Sequence, residues 1–167
     1  AATHSTGFSI LCPPKTPEYA DYITPEHTRK IIENVRPYFE YILIDMGTNF
    51  AETTLVALEN CDEIQVITNL NVPCLKGTKA VMNVLDTLRV ADKAKLVITK
   101  NRSSLIKIKD FENLMLRKAY ATITSDRNIS DNAMNSGNPV VLNSPRSAIA
   151  KDYNKYVDQI VADKDNI

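Results

Sequence analysis

Glycine is scarce: Gly7, Gly47, Gly77 and Gly137 are the only four in 167 residues. No two stand close enough to build a G-x-x-x-x-G-K-[ST] loop, whose amides cradle phosphates, and the Rossmann glycine fingerprint is absent as well. The segment "LKGTKA" (75–80) holds Gly, Thr and Lys in the wrong order and reads as a helix start. Cysteine is also scarce. Cys12, Cys61 and Cys74 are odd in number and widely spaced, with no C-x-x-C pair. That pattern disfavours a zinc cluster and fits free thiols in a reducing compartment.

Charge of one sign is missing too. Twenty basic residues balance twenty acidic ones, so no global field draws nucleic acid or an anionic membrane. No nucleic-acid partner is expected. No apolar run approaches the roughly 20 residues that a membrane span needs. The segment "AATHSTGF" has neither the basic start nor the apolar centre of a signal peptide. The expected location is the cytoplasm. His4 and His27 have no nearby Ser, Cys or paired carboxylate that would suggest a catalytic triad.

Short apolar runs, by contrast, alternate with segments of helical period along nearly the whole chain. "FSILC" (8–12), "YILID" (41–45), "EIQVIT" (63–68), "KLVIT" (95–99), "YATI" (120–123) and "PVVL" (139–142) read as strands. Between them, Thr24 and Pro25 open a helix as N-cap and first helical residue. Further helices are expected near 51–58, 75–90, 107–118 and 129–136. A last one carries Ile149, Tyr153, Val157 and Ile160. The strands are apolar throughout, as parallel strands buried on both faces are. The expected fold is α/β: one domain over 1–167, with a mostly parallel sheet covered by helices on both faces.

Ligands of open α/β sheets sit beyond the carboxyl ends of the strands, so the residues after each strand carry the functional reading. In "EYILIDMGTNF" (40–50), Asp45 ends an apolar run and Gly47 follows two places later. A carboxylate there suits magnesium held through its water shell, and a glycine lets the turn approach phosphates. The alternative for Asp45 is a cap on the helix starting near residue 50. Asn101 and Arg102 follow the fourth long run: a carboxamide can pair with an adenine edge, and a guanidinium can stack or meet phosphate. A solvated turn is the alternative. Asp126 and Arg127 follow "YATITS", where a helix N-cap cluster of Asp126, Asn128 and Ser130 is the alternative.

The series "THSTGFSILCPPKTPEYADYITPEHTRKIIENVRPYFEYILID", "TLVALENCDEIQVITNLNVPCLKGTKAVMNVLDTL", "KLVITKNR", "ATITSD" and "AMNSGNPVVLNSPRSAIAKDY" resembles the pilus-assembly ATPases called CpaE or TadZ. These are relatives of the deviant Walker-motif ATPases MinD and ParA. The match runs in order over nearly the whole chain. The resemblance implies a P-loop NTPase sheet, ATP with magnesium, and a nucleotide-sandwich homodimer. Its partners would be pilus-assembly proteins, and recruitment would be to the cell pole. It implies that Asp45 is the Walker B carboxylate, catalytic and bound to magnesium through water. "DMGTNF", with Gly47, would stand in the switch-II position. Asn101 would read the base with Arg102 beside it, and "TITSD" would lie near the adenine, ending in Asp126.

Thr124 stands where the family usually has proline in that loop. The family's deviant P-loop, and N-terminal strands that lie inside its sheet beside the Walker B strand, are upstream of the matched residues. The resemblance therefore implies that this chain is the C-terminal portion of a longer protein and does little or no catalysis alone. Two alternatives accompany it: a degenerate, non-hydrolysing scaffold that binds proteins, and a partitioning or division-site ATPase. The tail "YNKYVDQIVADKDNI" mixes charges and ends acidic, unlike the basic amphipathic tail of division-site relatives.

Overall fold

Three strands, β3 (Ile64–Thr68), β4 (Ala94–Asn101) and β5 (Ala119–Thr124), form a parallel sheet in the order β3-β4-β5. The structure is a computed structural model and describes residues 2–12, 16–101 and 105–164. Pro13, Pro14 and Arg102 lie outside the described residues. The described chain divides into two compact units, Ala1–Asp62 and Glu63–Ile167, and each is described by itself.

The second unit alternates strand and helix as its sequence pattern predicts. After β3 comes α3 (Val72–Thr87), which starts earlier than expected because Asn71 caps it and accepts the Cys74 N–H at 2.9 Å. "LKGTKA" therefore lies inside a helix and does not start one. Next come β4, α4 (Ile108–Met115), β5 and α5 (Arg127–Ser136), which stops at Gly137 with φ +68°. A left-handed residue ends a helix most cheaply as glycine. α6 (Val140–Asn143) and α7 (Ala148–Lys164) complete the unit.

The expected strand at "PVVL" is instead the single turn α6. Leu142 and Asn143 both donate their N–H groups to the Pro139 carbonyl, at 3.0 and 2.9 Å. The backbone groups that a strand would need for a ladder are spent locally.

Side chains of a strand alternate between faces. Ile64, Val66 and Thr68 of β3 form its buried face, against which α3 packs. On the other face Val97 and Ile123 pack with Ile149 of α7, joined by Tyr120 and Tyr156. Central β4 is buried on both sides, with Leu96, Val97 and Ile98 all within 1% of full burial. The expected α/β architecture, a parallel sheet flanked by helices, is what the chain adopts.

The first unit departs further from expectation. "FSILC" contributes only β2 (Ser9–Ile10), antiparallel to β1 (Ala2–Thr3), where a parallel strand was expected. α1 (Pro25–Val35) begins as predicted. Thr24 Oγ1 accepts the His27 N–H and His27 Nδ1 accepts the Thr24 N–H, both at 3.3 Å. α1 packs on α2 (Glu52–Asn60), whose last carbonyl accepts from Arg36 Nη2 at 2.7 Å. The expected strand "YILID" is not one: among the described residues 41–45 join no ladder, and Leu43 is 93% exposed. Apolarity alone does not make a strand, which also needs a neighbour's N–H and C=O groups.

Candidate functional site

At the carboxyl ends of β4 and β5 the backbone is irregular, and the irregularity is where the candidate residues lie. The β4–β5 register slips between Ile98 and Asn101, after which Asn101 stands opposite Thr124. Within the slip Lys100 adopts φ +50°. A side-chain-bearing residue reaches this left-handed region only at a cost of about 1–3 kcal/mol, and such strain concentrates at functional sites. The bulge re-aims the last residue of the strand, which is Asn101.

The next segment of chain is fastened to that residue. Ser125 donates its N–H to the Asn101 carbonyl at 2.9 Å. Asp126 is the N-cap of α5, its carboxylate accepting the Ile129 N–H at 3.1 Å. Thr124 donates its N–H to Asp152 Oδ2 of α7 at 2.8 Å. A proline at 124 would have no N–H to give. Asn101 and Asp126 are thus brought together on one rim. The capping alternative for Asp126 describes its geometry, because one carboxylate oxygen serves the helix.

A second polar group adjoins this rim at the end of β3. Thr68 and Thr78 are 3% and 5% exposed, buried polar residues in an apolar layer. Thr78 Oγ1 lies 2.7 Å from Thr68 Oγ1 and 2.8 Å from the Cys74 carbonyl. With one proton per hydroxyl, Thr78 gives its proton to the carbonyl and accepts that of Thr68. The Asn69 carboxamide nitrogen lies 2.8 Å from the Thr99 carbonyl and 3.2 Å from that of Thr68. It therefore ties β3 to β4 at the mouth of the sheet. Sequence reasoning did not single these residues out. The available signal was a threonine at an inward position of an otherwise aliphatic strand.

Asp45 and Gly47 belong to the first unit. Asp45 is exposed and does not end a buried strand as expected, since 41–45 forms none. The capping alternative for Asp45 is not seen either. The N-cap of α2 is Ala51, with no side-chain cap. A Cβ built on Gly47 would meet only Asn49 Oδ1, at 3.8 Å, so the local packing tolerates a side chain there. Arg102 lies outside the described residues. Among the described residues no group of three or more His, Cys, Asp or Glu side chains is placed to hold a metal ion.

At the opposite end of the sheet, Lys95 Nζ reaches Glu63 Oε1 at 2.5 Å and Asp163 Oδ2 at 2.6 Å, and sits 4.4 Å from the Tyr120 ring centroid. Tyr120 donates its hydroxyl to the same Asp163 oxygen at 2.8 Å. Partial burial pulls the Lys95 ammonium down, but its bonds to Asp163 and Glu63 outweigh that and hold it above its ordinary value. Burial, then the Asp163 carboxylate, push the Tyr120 phenol up to about 12. Asp163 is held below the usual carboxylate value, first by Lys95 and then by Tyr120. This cluster anchors the end of α7.

The carboxyl-end rim sits on an arrangement of strands and helices found in known proteins. A ParA family ATPase from Chlorobium tepidum TLS superposes with a TM-score of 0.79 at 21% identity, over 83% of this chain and 58% of that one. The fold is that of the MinD/ParA ATPases. MinD from Pyrococcus horikoshii OT3, solved with Mg-ADP, superposes with a TM-score of 0.73 at 21% identity, over 87% of this chain and 60% of that one. In sequence, the septum site-determining protein MinD of Thermotoga maritima is 24% identical over 140 residues, 80% of this chain. The chain spans about half the length of that MinD, 51%. No family model matches the chain. The polar rim of this chain lies beyond the strand ends, where open α/β sheets bind ligands.

Proposed function

We propose that this chain forms the base-side part of a MinD/ParA-type switch that dimerises with ATP and magnesium and serves the assembly of a type IVb (Flp/Tad) pilus. The observation that supports the reading is a rim on which Asn101 accepts the Ser125 N–H and Asp126, the next residue, caps α5, in a fold whose members include a MinD solved with Mg-ADP. In the reading, the Asn101 carboxamide meets the adenine edge, with donor and acceptor in one plane. Arg102, the next residue in sequence, would add its guanidinium, and the 124–126 loop would border the base. Asp45 would hold magnesium through water and Gly47 would let the turn approach the phosphates.

In this reading the rim serves the nucleobase alone. The triphosphate is a different matter, because these residues include no paired-glycine cradle. No hydrolytic step is assigned to them, and the chain alone is read as non-catalytic. As a C-terminal part of a MinD/ParA-like ATPase, it would work in the cytoplasm as a homodimer. It would be recruited to the cell pole and would bind pilus-assembly proteins.

A second reading is a division-site or partitioning ATPase, favoured by the likeness to the Thermotoga maritima MinD. Deletion of the gene separates the two: lost surface pili with normally placed septa supports the pilus role, and misplaced septa or lost replicons supports the other.

Nucleotide binding is tested by thermal unfolding with and without Mg-ATP. Ligand at a hundred times its dissociation constant adds about 2.7 kcal/mol, a rise of roughly 5–11 °C for a chain this size. Asn101→Ala should abolish the rise. No rise in the unsubstituted chain would overturn the base-side reading.

A further inference from the structure

We propose that Asp152 is a positioning residue for the 124–126 loop, coupling α7 to the rim that borders the base; the proposal rests on the base-side reading above. Among the described residues β5 is the outer strand, paired only with β4. Successive N–H groups of a strand point to opposite sides. Ser125 uses its N–H inward, on the Asn101 carbonyl at 2.9 Å, so the Thr124 N–H points outward from the sheet. An outer strand's free donors are where pairing ends and the chain loosens.

Here the outward donor is taken by a carboxylate 28 residues away, Asp152 Oδ2 at 2.8 Å. A hydrogen bond to an ionised acceptor is roughly twice as strong as one between neutral groups. The carboxylate stands on a helix that cannot easily shift. Ile149 is packed against Val97 and Ile123, and Asp163 bonds Lys95 and Tyr120 near the helix end. Asp152 and Asp163 are 11 residues apart, about 16 Å along the axis. α7 is thus held at both ends of the sheet.

Thr124 and Ser125 are held from opposite sides, by Asp152 and by Asn101, while Asp126 is held in the first turn of α5. Without Asp152, β5 keeps its pairs with β4, and Ser125 and Asp126 keep their own bonds. What is released is the outer side of the loop, at the Thr124 N–H. Asp152 touches backbone and not base, so it acts through the loop.

The test uses this chain with Mg-ATP and Mg-GTP as probes, alongside amide hydrogen exchange read by NMR. Asp152→Ala should speed exchange at the Thr124 amide at least tenfold, while Val97 and Ile98 amides stay within twofold. It should also bring the ratio of ATP to GTP affinity to within twofold of one. Asp152→Asn keeps an acceptor oxygen and should restore most of the protection and most of the preference. Unchanged Thr124 exchange in Asp152→Ala, or equal acceleration at all amides, would overturn the proposal, as would an unaltered ATP preference. If the unsubstituted chain binds neither nucleotide, the base-side reading falls, and the exchange result alone decides whether Asp152 holds the loop.

Discussion

Thr68 and Thr78 place their hydroxyl oxygens 2.7 Å apart inside an apolar layer, where each is at most 5% exposed. The pair joins β3 to α3. Thr78→Val keeps the shape of the side chain and removes the hydroxyl that accepts from Thr68. A buried donor left without its partner costs about 1–3 kcal/mol. Urea unfolding should show that loss with an unchanged slope, and Thr68→Val with Thr78→Val together should cost less than the sum of the two.

Lys95, Asp163 and Tyr120 set a pH window. Lys95 is held above its ordinary 10.5, so its contribution is complete below that pH and is lost as pH rises beyond it. Tyr120, moved from 10.0 up to about 12, acts in the same direction: stability falls as pH climbs from 10 to 12. Asp163 lies below its ordinary 3.8, so its contribution is present above that value and is lost as pH falls through the depressed one. Unfolding free energy measured against pH should fall on both sides, and Tyr120→Phe should flatten the alkaline limb.

Lys100 should reveal strain. Its φ of +50° suits glycine. Lys100→Gly is expected to leave the protein as stable or more stable by up to about 1 kcal/mol, whereas Lys100→Val should cost about 2 kcal/mol. Thermal unfolding of the two variants checks this. A Lys100→Gly variant less stable than the parent would mean that the bulge is not strained.

Leu43, 93% exposed, contributes no buried surface. Leu43→Lys should therefore change stability by no more than about 0.5 kcal/mol. It should also lower self-association in sedimentation, because exposed apolar runs with strand propensity associate.

The second unit was legible because its strands are apolar on both faces and polar residues follow each one. Ile64–Thr68, Ala94–Asn101 and Ala119–Thr124 lie within one to two residues of expectation. Asn101 and Asp126 could be picked out because side-chain chemistry follows a strand end. Asp152 could not. Its partner is a backbone N–H 28 residues earlier, and no side-chain pattern records where a main-chain donor points. Tyr41 to Ile44 and Val140 to Leu142 misled for a shared reason. Aliphatic and β-branched residues favour strands only where a neighbouring strand exists to pair with.

Spatial order in the sheet, β3-β4-β5, repeats the order of the chain. Each strand therefore joins the neighbour synthesised just before it, and no contact in the ladder must wait for a distant segment. Such a unit can assemble progressively as it leaves the ribosome. The closing ties run through Asp152 and Asp163 of the final helix, so the rim at Thr124 is fastened only once α7 has emerged.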